Sequence, residues 1–268
     1  MKIGAVALAA CARRAARSGP ARRIVTLGPN TTEILFALGA GDRVVGVSRY
    51  DDYPPEALRL PRVGGLLDPS FEAIVALRPD AVVGAQGPLN RTVLDRLERL
   101  GIRTLFPRVE SVADIGAAID AFAGLVDRRD AAVTLRRSID ADIAAVRARV
   151  SGMPTPNVLA VFGQRPISVA GPGSFVNELL GLANARNVVR EGPAWPTLGL
   201  EAVLALAPEI ILDMTGMEHL GALAEAWSQY TAIPAIRTGR VVRLDDPMLL
   251  RPGPRVARAL DVYARAVH

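Results

Sequence analysis

The chain has 268 residues, half of them hydrophobic and 22% charged, which is enough apolar material for one large or two modest domains and too much for a disordered chain. Its single cysteine excludes a disulfide framework and any CxxC metal or redox site, and two histidines exclude a zinc site built from several imidazoles. The net charge of +5 suggests nucleic acid only until it is located: residues 1–23 hold six basic and no acidic residues, whereas 24–268 hold 26 basic against 27 acidic.

The first segment, 1–23, reads as an export signal and tether. Lys2 precedes the apolar run Ile3–Ala10, and Leu8-Ala9-Ala10-Cys11 resembles a bacterial lipobox, with Cys11 as the lipidated residue. An ordinary cleaved secretory signal or a mis-assigned start codon is the alternative. Arg13 to Arg23 would then form a flexible tether. No run in the chain approaches the roughly 18–20 apolar residues of a spanning helix.

From Ile24 onward, short β-branched runs alternate with helical stretches. Ile24–Leu27, Val44–Val47, Ala81–Val83 and Ile102–Phe106 are predicted strands. Thr31 or Thr32 is positioned to cap a helix that stops at Gly39, and Val93, Leu94, Leu97 and Leu100 have amphipathic helical spacing. Strands separated by helices imply parallel α/β layering. Between Ser111 and Val150 there is no proline, and Ala132, Leu135, Ile139, Ile143, Val146 and Val150 form one helical stripe. The stripe ends at Gly152-Met153-Pro154-Thr155-Pro156, which a helix does not cross easily. Strand–helix alternation then resumes with Val158–Phe162, Val188-Val189, Ile210–Leu212 and Val241–Leu244, before a closing helix from about Gly253.

The two halves echo one another. Residues 71–83 are FEAIVALRPDAVV and residues 200–212 are LEAVLALAPEIIL, with Glu72/Glu201, Ala73/Ala202, Ala76/Ala205, Leu77/Leu206 and Pro79/Pro208 identical. A glycine- and proline-rich loop precedes each unit. This pattern predicts an α/β protein of two lobes, each with a central, mostly parallel sheet flanked by helices. The lobes would span 24–127 and 153–268, joined by one long, rigid backbone helix over 128–152.

The segments IVTLGPNTTEILFALGAGDRVVGVSRYDDYP, FEAIVALRPDAVVG, WPTLGLEAVLALAPEIIL and RPGPR, taken with the long helix, resemble the periplasmic substrate-binding proteins of bacterial ABC importers. The similar branch has a helical backbone and serves cobalamin, haem and ferric siderophores. The surroundings of Tyr50 and Trp195 look most like its vitamin-B12-binding members. The resemblance implies a monomeric, non-enzymatic receptor in the periplasm, or held at the membrane as a lipoprotein. It also implies a cleft between the lobes for a metal chelate, with cobalamin first and haem or a ferric siderophore as alternatives. No intrinsic cofactor, protein-held metal or nucleic acid is implied. The ligand-binding residues it suggests are Asn30, Thr31, Tyr50, Leu66, Gln86, Trp195, Asp246, Met248 and Arg251. Leu66 and Gln86 stand where some B12 binders carry tryptophan, which weakens the corrinoid assignment. Tyr53 is more a loop-packing residue than a ligand contact, and His219 an exposed one. Glu72 and Glu201 match the pair that docks on arginines of the permease dimer in the inner membrane. The motifs of common α/β enzymes are missing: there is no G-x-S-x-G, P-loop or G-x-G-x-x-G, so a motif-free α/β enzyme is the competing class.

Overall fold

The structure, a computed structural model, describes residues 19–87, 91–218 and 223–268. Cys11, the lipobox and His219 lie outside the described residues. The described chain builds two sheets in sequence. In the first, β1 (Ile24–Thr26) leads into α1 (Pro29–Ala37), then β2 (Val44–Gly46), α2 (Phe71–Ala76), β3 (Ala81–Val83), α3 (Arg91–Arg99) and β4 (Arg103–Leu105). The strand order is β2-β1-β3-β4, and every pairing is parallel. Parallel strands with helices on their faces must be apolar on both sides, and β1 and β3 are fully buried accordingly.

Two helices follow, α4 (Val112–Val126) and α5 (Arg129–Val150). The break between them falls at Asp127, which turns left-handed with φ 54°. Helix α5 is 22 residues long and packs against α4 and against the C-terminal helix. Its buried positions Ala132, Ile139, Ile143, Val146 and Val150 are the predicted stripe, with Leu135 partly buried beside them.

The second sheet begins with β5 (Asn157–Gln164) and β6 (Ile167–Val169), then α6 (Phe175–Leu182), β7 (Arg186–Asn187), β8 (Thr197–Leu198), α7 (Leu200–Leu206), β9 (Ile210–Asp213), α8 (Leu223–Ala226), α9 (Pro234–Arg237), β10 (Val241–Arg243) and α10 (Val256–Val267). Its order is β10-β9-β5-β6-β8, with β7 also on β5. The β6 pairings are antiparallel and the others parallel. The strand expected at Val188-Val189 forms two residues earlier. One apolar cluster runs from Ile24 and Leu35 through α5 to Leu260 and Val267, so a shared core joins the halves.

The sequence echo extends to the backbone. Arg78 and Ala207, each just before a proline, both adopt left-handed φ, 49° and 45°. Asp80 accepts hydrogen bonds from the N–H groups of Arg22 and Arg23, and Glu209 accepts one from Asn157 at 2.6 Å. Each carboxylate thus clamps the chain entering the first strand of its sheet.

That clamp corrects one expectation. Residues 19–23 are not a loose tether: Ala21 is fully buried and donates its N–H to Leu125 O, and Arg103 donates to Gly19 O at 2.7 Å. A second correction concerns the start of α1. Pro29 occupies its first turn and Gly28 is the N-cap, so Thr31 and Thr32 lie inside the helix. Proline's fixed φ and missing N–H suit it to that position.

Candidate functional site

In an open parallel sheet, the loops beyond the carboxyl ends of the strands are the usual ligand surface. Here the loops after β1 and β2 meet the loop between β10 and α10. Arg251 donates to both carboxylate oxygens of Asp52, one at 2.8 Å, and its hydrogen bond is the first cause holding that carboxyl below the usual range. The pair's contribution is therefore in place above the ordinary carboxylate range and is lost as pH falls below it. Deeper in, Arg255 grips Glu33 of α1 with both ends of its guanidinium, at 2.7 and 2.6 Å. The Glu33 side chain is only 2% exposed. Burial works against the Arg255 charge, yet Glu33 outweighs it and raises the guanidinium's already high pKa. The guanidinium also lies 4.1 Å from the ring centroid of Tyr53, which accounts for Tyr53 as a packing residue. Beside this cluster, Gly253 lies near Asn30, which a Cβ added to the glycine would meet at van der Waals distance. Asn30 is half-buried in the first turn of α1 and accepts from the Thr31 N–H.

The N-terminal wall continues through Tyr50 and the loop after β3. Tyr50 is 60% exposed, with an edge against Gly65, where a Cβ would come 3.0 Å from the ring. Its backbone N–H binds Ser48 Oγ, and Ser48 in turn binds the buried Asp51 carboxylate. Burial pushes the Asp51 carboxyl up, opposed by Ser48 and Thr32. Arg49 pairs with Asp68 across the neighbouring turn. Leu66 is half-buried against Gly84 and Gly87, next to Phe106, while Gln86 is exposed and its N–H is held by Pro107 O.

On the C-terminal wall, Trp195 is 54% exposed and stands edge-on to Phe162 at the end of β5, with ring centroids 5.2 Å apart. Its loop is fastened by Gly171 N–H to Ala194 O and Val169 N–H to Pro196 O. Gly171 has no room for a Cβ, because Pro193 O occupies that space. Asp246 is exposed and caps the turn after β10 by accepting from Met248 N–H.

Two predicted ligand residues have other work. Thr31 is fully buried, and its hydroxyl donates to Gly28 O at 2.8 Å. Met248 is 2% exposed and belongs to the core, because the Asp246 cap turns its side chain inward. Neither side chain faces a ligand surface in this structure. Glu72 and Glu201 are exposed, each the second residue of its helix, α2 or α7. Cavities of 290 and 580 Å³ flank β4 and are lined by residues such as Ile102, Arg103 and Leu125, none of them a predicted site residue. A flat ligand held between two walls needs an open surface, so enclosed volume is a poor guide to such a site.

Residues 24–248 match the family model described as periplasmic binding protein. The vitamin B12-binding protein of Salmonella paratyphi A is 30% identical over 248 residues, covering 92% of this chain and 90% of that one. Among solved structures, the periplasmic haem-binding protein BhuT in complex with two haems superposes with a TM-score of 0.84 at 30% identity, over 93% of this chain and 98% of that one. The periplasmic vitamin B12-binding protein BtuF of Vibrio cholerae gives 0.81 at 25% identity, over 92% and 97%.

Proposed function

The chain belongs to the periplasmic binding protein family, and on that premise we propose that it captures a corrinoid, cobalamin, between its two halves and hands it to an ABC permease. As a member of that family it is a substrate-binding protein of an ABC transporter. The observation that carries the ligand reading is the pair of exposed rings. Aromatic residues make up 4% of the chain, yet Tyr50 and Trp195 stand more than half exposed on the loops at the carboxyl ends of the two sheets. A large flat amphiphile rewards that arrangement with ring contact and a few fixed hydrogen bonds. Asn30, Gln86, Asp246 and Arg251 supply the polar contacts and Leu66 an apolar one. Haem is the second reading, favoured by the likeness to BhuT.

Glu72 and Glu201 are proposed to dock the loaded receptor on arginines of a two-fold symmetric permease. A symmetric partner needs a matched pair of anchors, and carboxylate–guanidinium pairing fixes orientation. Periplasmic or membrane-anchored placement, with Cys11 as the lipid site, fits this role.

Uptake tests the proposal. In vesicles carrying the cognate permease, the wild-type receptor should support cyanocobalamin transport. Glu72→Ala combined with Glu201→Ala should lower it at least about tenfold, the equivalent of about 1.4 kcal/mol. Unchanged uptake by the double variant would remove the docking role, and no transport with the wild type would remove the corrinoid.

A further inference from the structure

Tyr50 is presented by a turn that the backbone ladder does not reach. Beyond β2, Val63 N–H bonds Val47 O at 3.0 Å and Arg49 N–H bonds Gly64 O at 2.8 Å, and there the ladder ends. Past Arg49 the chain is held from below by side chains. Asp51 is 2% exposed and lies between two exposed neighbours, Tyr50 and Asp52, the second of them tied to Arg251. Ser48 Oγ gives its proton to Asp51 Oδ2, which leaves the hydroxyl's lone pairs to accept from Tyr50 N–H at 3.2 Å. Arg62 donates to Ser48 O and to Asp51 O, both at 2.9 Å, and so clasps the turn at its two ends. The Thr32 hydroxyl of α1 favours the charged form of the same carboxyl and lies 2.6 Å from the hydroxyl of Thr26 in β1. Thr26, Thr32 and Ser48 are all fully buried.

Stability is a poor account of an aspartate at this position. Asp51 Oδ1 is buried with no hydrogen-bond partner among the described residues, and an unsatisfied buried oxygen weakens a fold. What the carboxyl does achieve is direction. A serine hydroxyl free to rotate can turn either its proton or a lone pair toward Tyr50 N–H, but with the proton committed to Asp51 it can only accept. A buried network fixed in this way holds a site residue in place more firmly than an exposed turn does alone. We propose that Asp51 is a positioning residue of the ligand wall, committing the Ser48 hydroxyl as an acceptor and so fixing the turn that holds out the Tyr50 ring. The inference deepens the chelate-receptor reading and rests on Tyr50 being one of its ligand residues.

The test separates positioning from folding by measuring thermal unfolding and calorimetric affinity on the full chain. Asp51→Leu combined with Ser48→Ala removes acceptor and donor together, which should leave the thermal midpoint within about 3 °C of wild type or raise it. The same variant should bind cyanocobalamin about fivefold or more weakly. Asp51→Asn, whose amide oxygen can still accept from Ser48, should bring affinity back to within about twofold of wild type. Introduced into Tyr50→Ala, the double change should cost less than about twofold, because its effect runs through that ring. A lowered midpoint with unchanged affinity in the folded protein, or an equal loss with and without the Tyr50 ring, would overturn the inference. Ser48→Ala alone replaces the double variant if the latter does not fold, with the same expected weakening and the same opposing results. If haemin binds and cyanocobalamin does not, the corrinoid proposal fails and haemin serves as the probe. If neither binds, the receptor reading fails, and hydrogen exchange at the Tyr50 amide decides the role of Asp51 in the turn. Exchange should quicken about fivefold or more in the double variant and not in Asp51→Asn, and an unchanged rate would overturn that role.

Discussion

Replacing Arg255 by alanine should lower the free energy of unfolding by about 3 kcal/mol, because it strands the Glu33 carboxylate in the core. Glu33 lies 2% exposed on α1, and Arg255 satisfies both of its oxygens from the start of α10. Arg251 offers partial relief at 4.0 Å, which places the expected loss at the low end of what breaking a buried pair costs. For a chain of this length the midpoint of thermal unfolding should drop by about 6–12 °C. Removing both partners, as in Glu33→Leu with Arg255→Leu, should recover most of the loss, since the desolvation penalty goes with the charges. Chemical denaturation of the three proteins checks this. A loss below about 1 kcal/mol in Arg255→Ala would mean that Glu33 is rehydrated and the halves are not held there.

That ion pair also shows where reading the sequence stops. Elements with a local cause were legible: the β-branched runs became β1 to β5, β9 and β10, and the apolar stripe of α5 falls on the positions its spacing indicates. The repeated helix–proline–strand unit was legible because identical residues solve the same local problem twice. Contacts between distant segments left no such trace. Glu33 and Arg255 are 222 residues apart, and neither sits in a pattern that announces a partner. The sheet edge formed by β6 and β8 is built from runs of three and two residues, too short for an alternating pattern. The break at Asp127 uses an aspartate in a conformation more often given to glycine. In the candidate site, Tyr50 and Trp195 stand out in the sequence by rarity and setting, and the structure exposes both rings. Thr31 and Met248 were misassigned because loop position indicates proximity to a ligand but not the direction of a side chain, which capping bonds decided here.

Trp195→Ala should weaken cyanocobalamin binding about tenfold to hundredfold, from the loss of roughly 1.5–3 kcal/mol of ring burial and stacking. The ring is poised for that role. Phe162 fixes its edge, Pro193 and Pro196 frame its loop, and half of its surface still faces outward. A tryptophan whose only task was to pack its loop would bury more of itself. Trp195→Phe should restore part of the affinity, whereas a structural role would lower thermal stability without moving the dissociation constant. Full affinity in the alanine variant would remove Trp195 from the ligand surface. The chain's second tryptophan, Trp227, is 5% exposed in the core and serves as an internal fluorescence reference.

The most direct measurement is a calorimetric titration of the purified receptor with cyanocobalamin, haemin and a ferric siderophore in turn. Saturable one-to-one binding of cyanocobalamin, tighter than either competitor, is the predicted result. Binding of haemin alone, or of the siderophore alone, would contradict the corrinoid assignment.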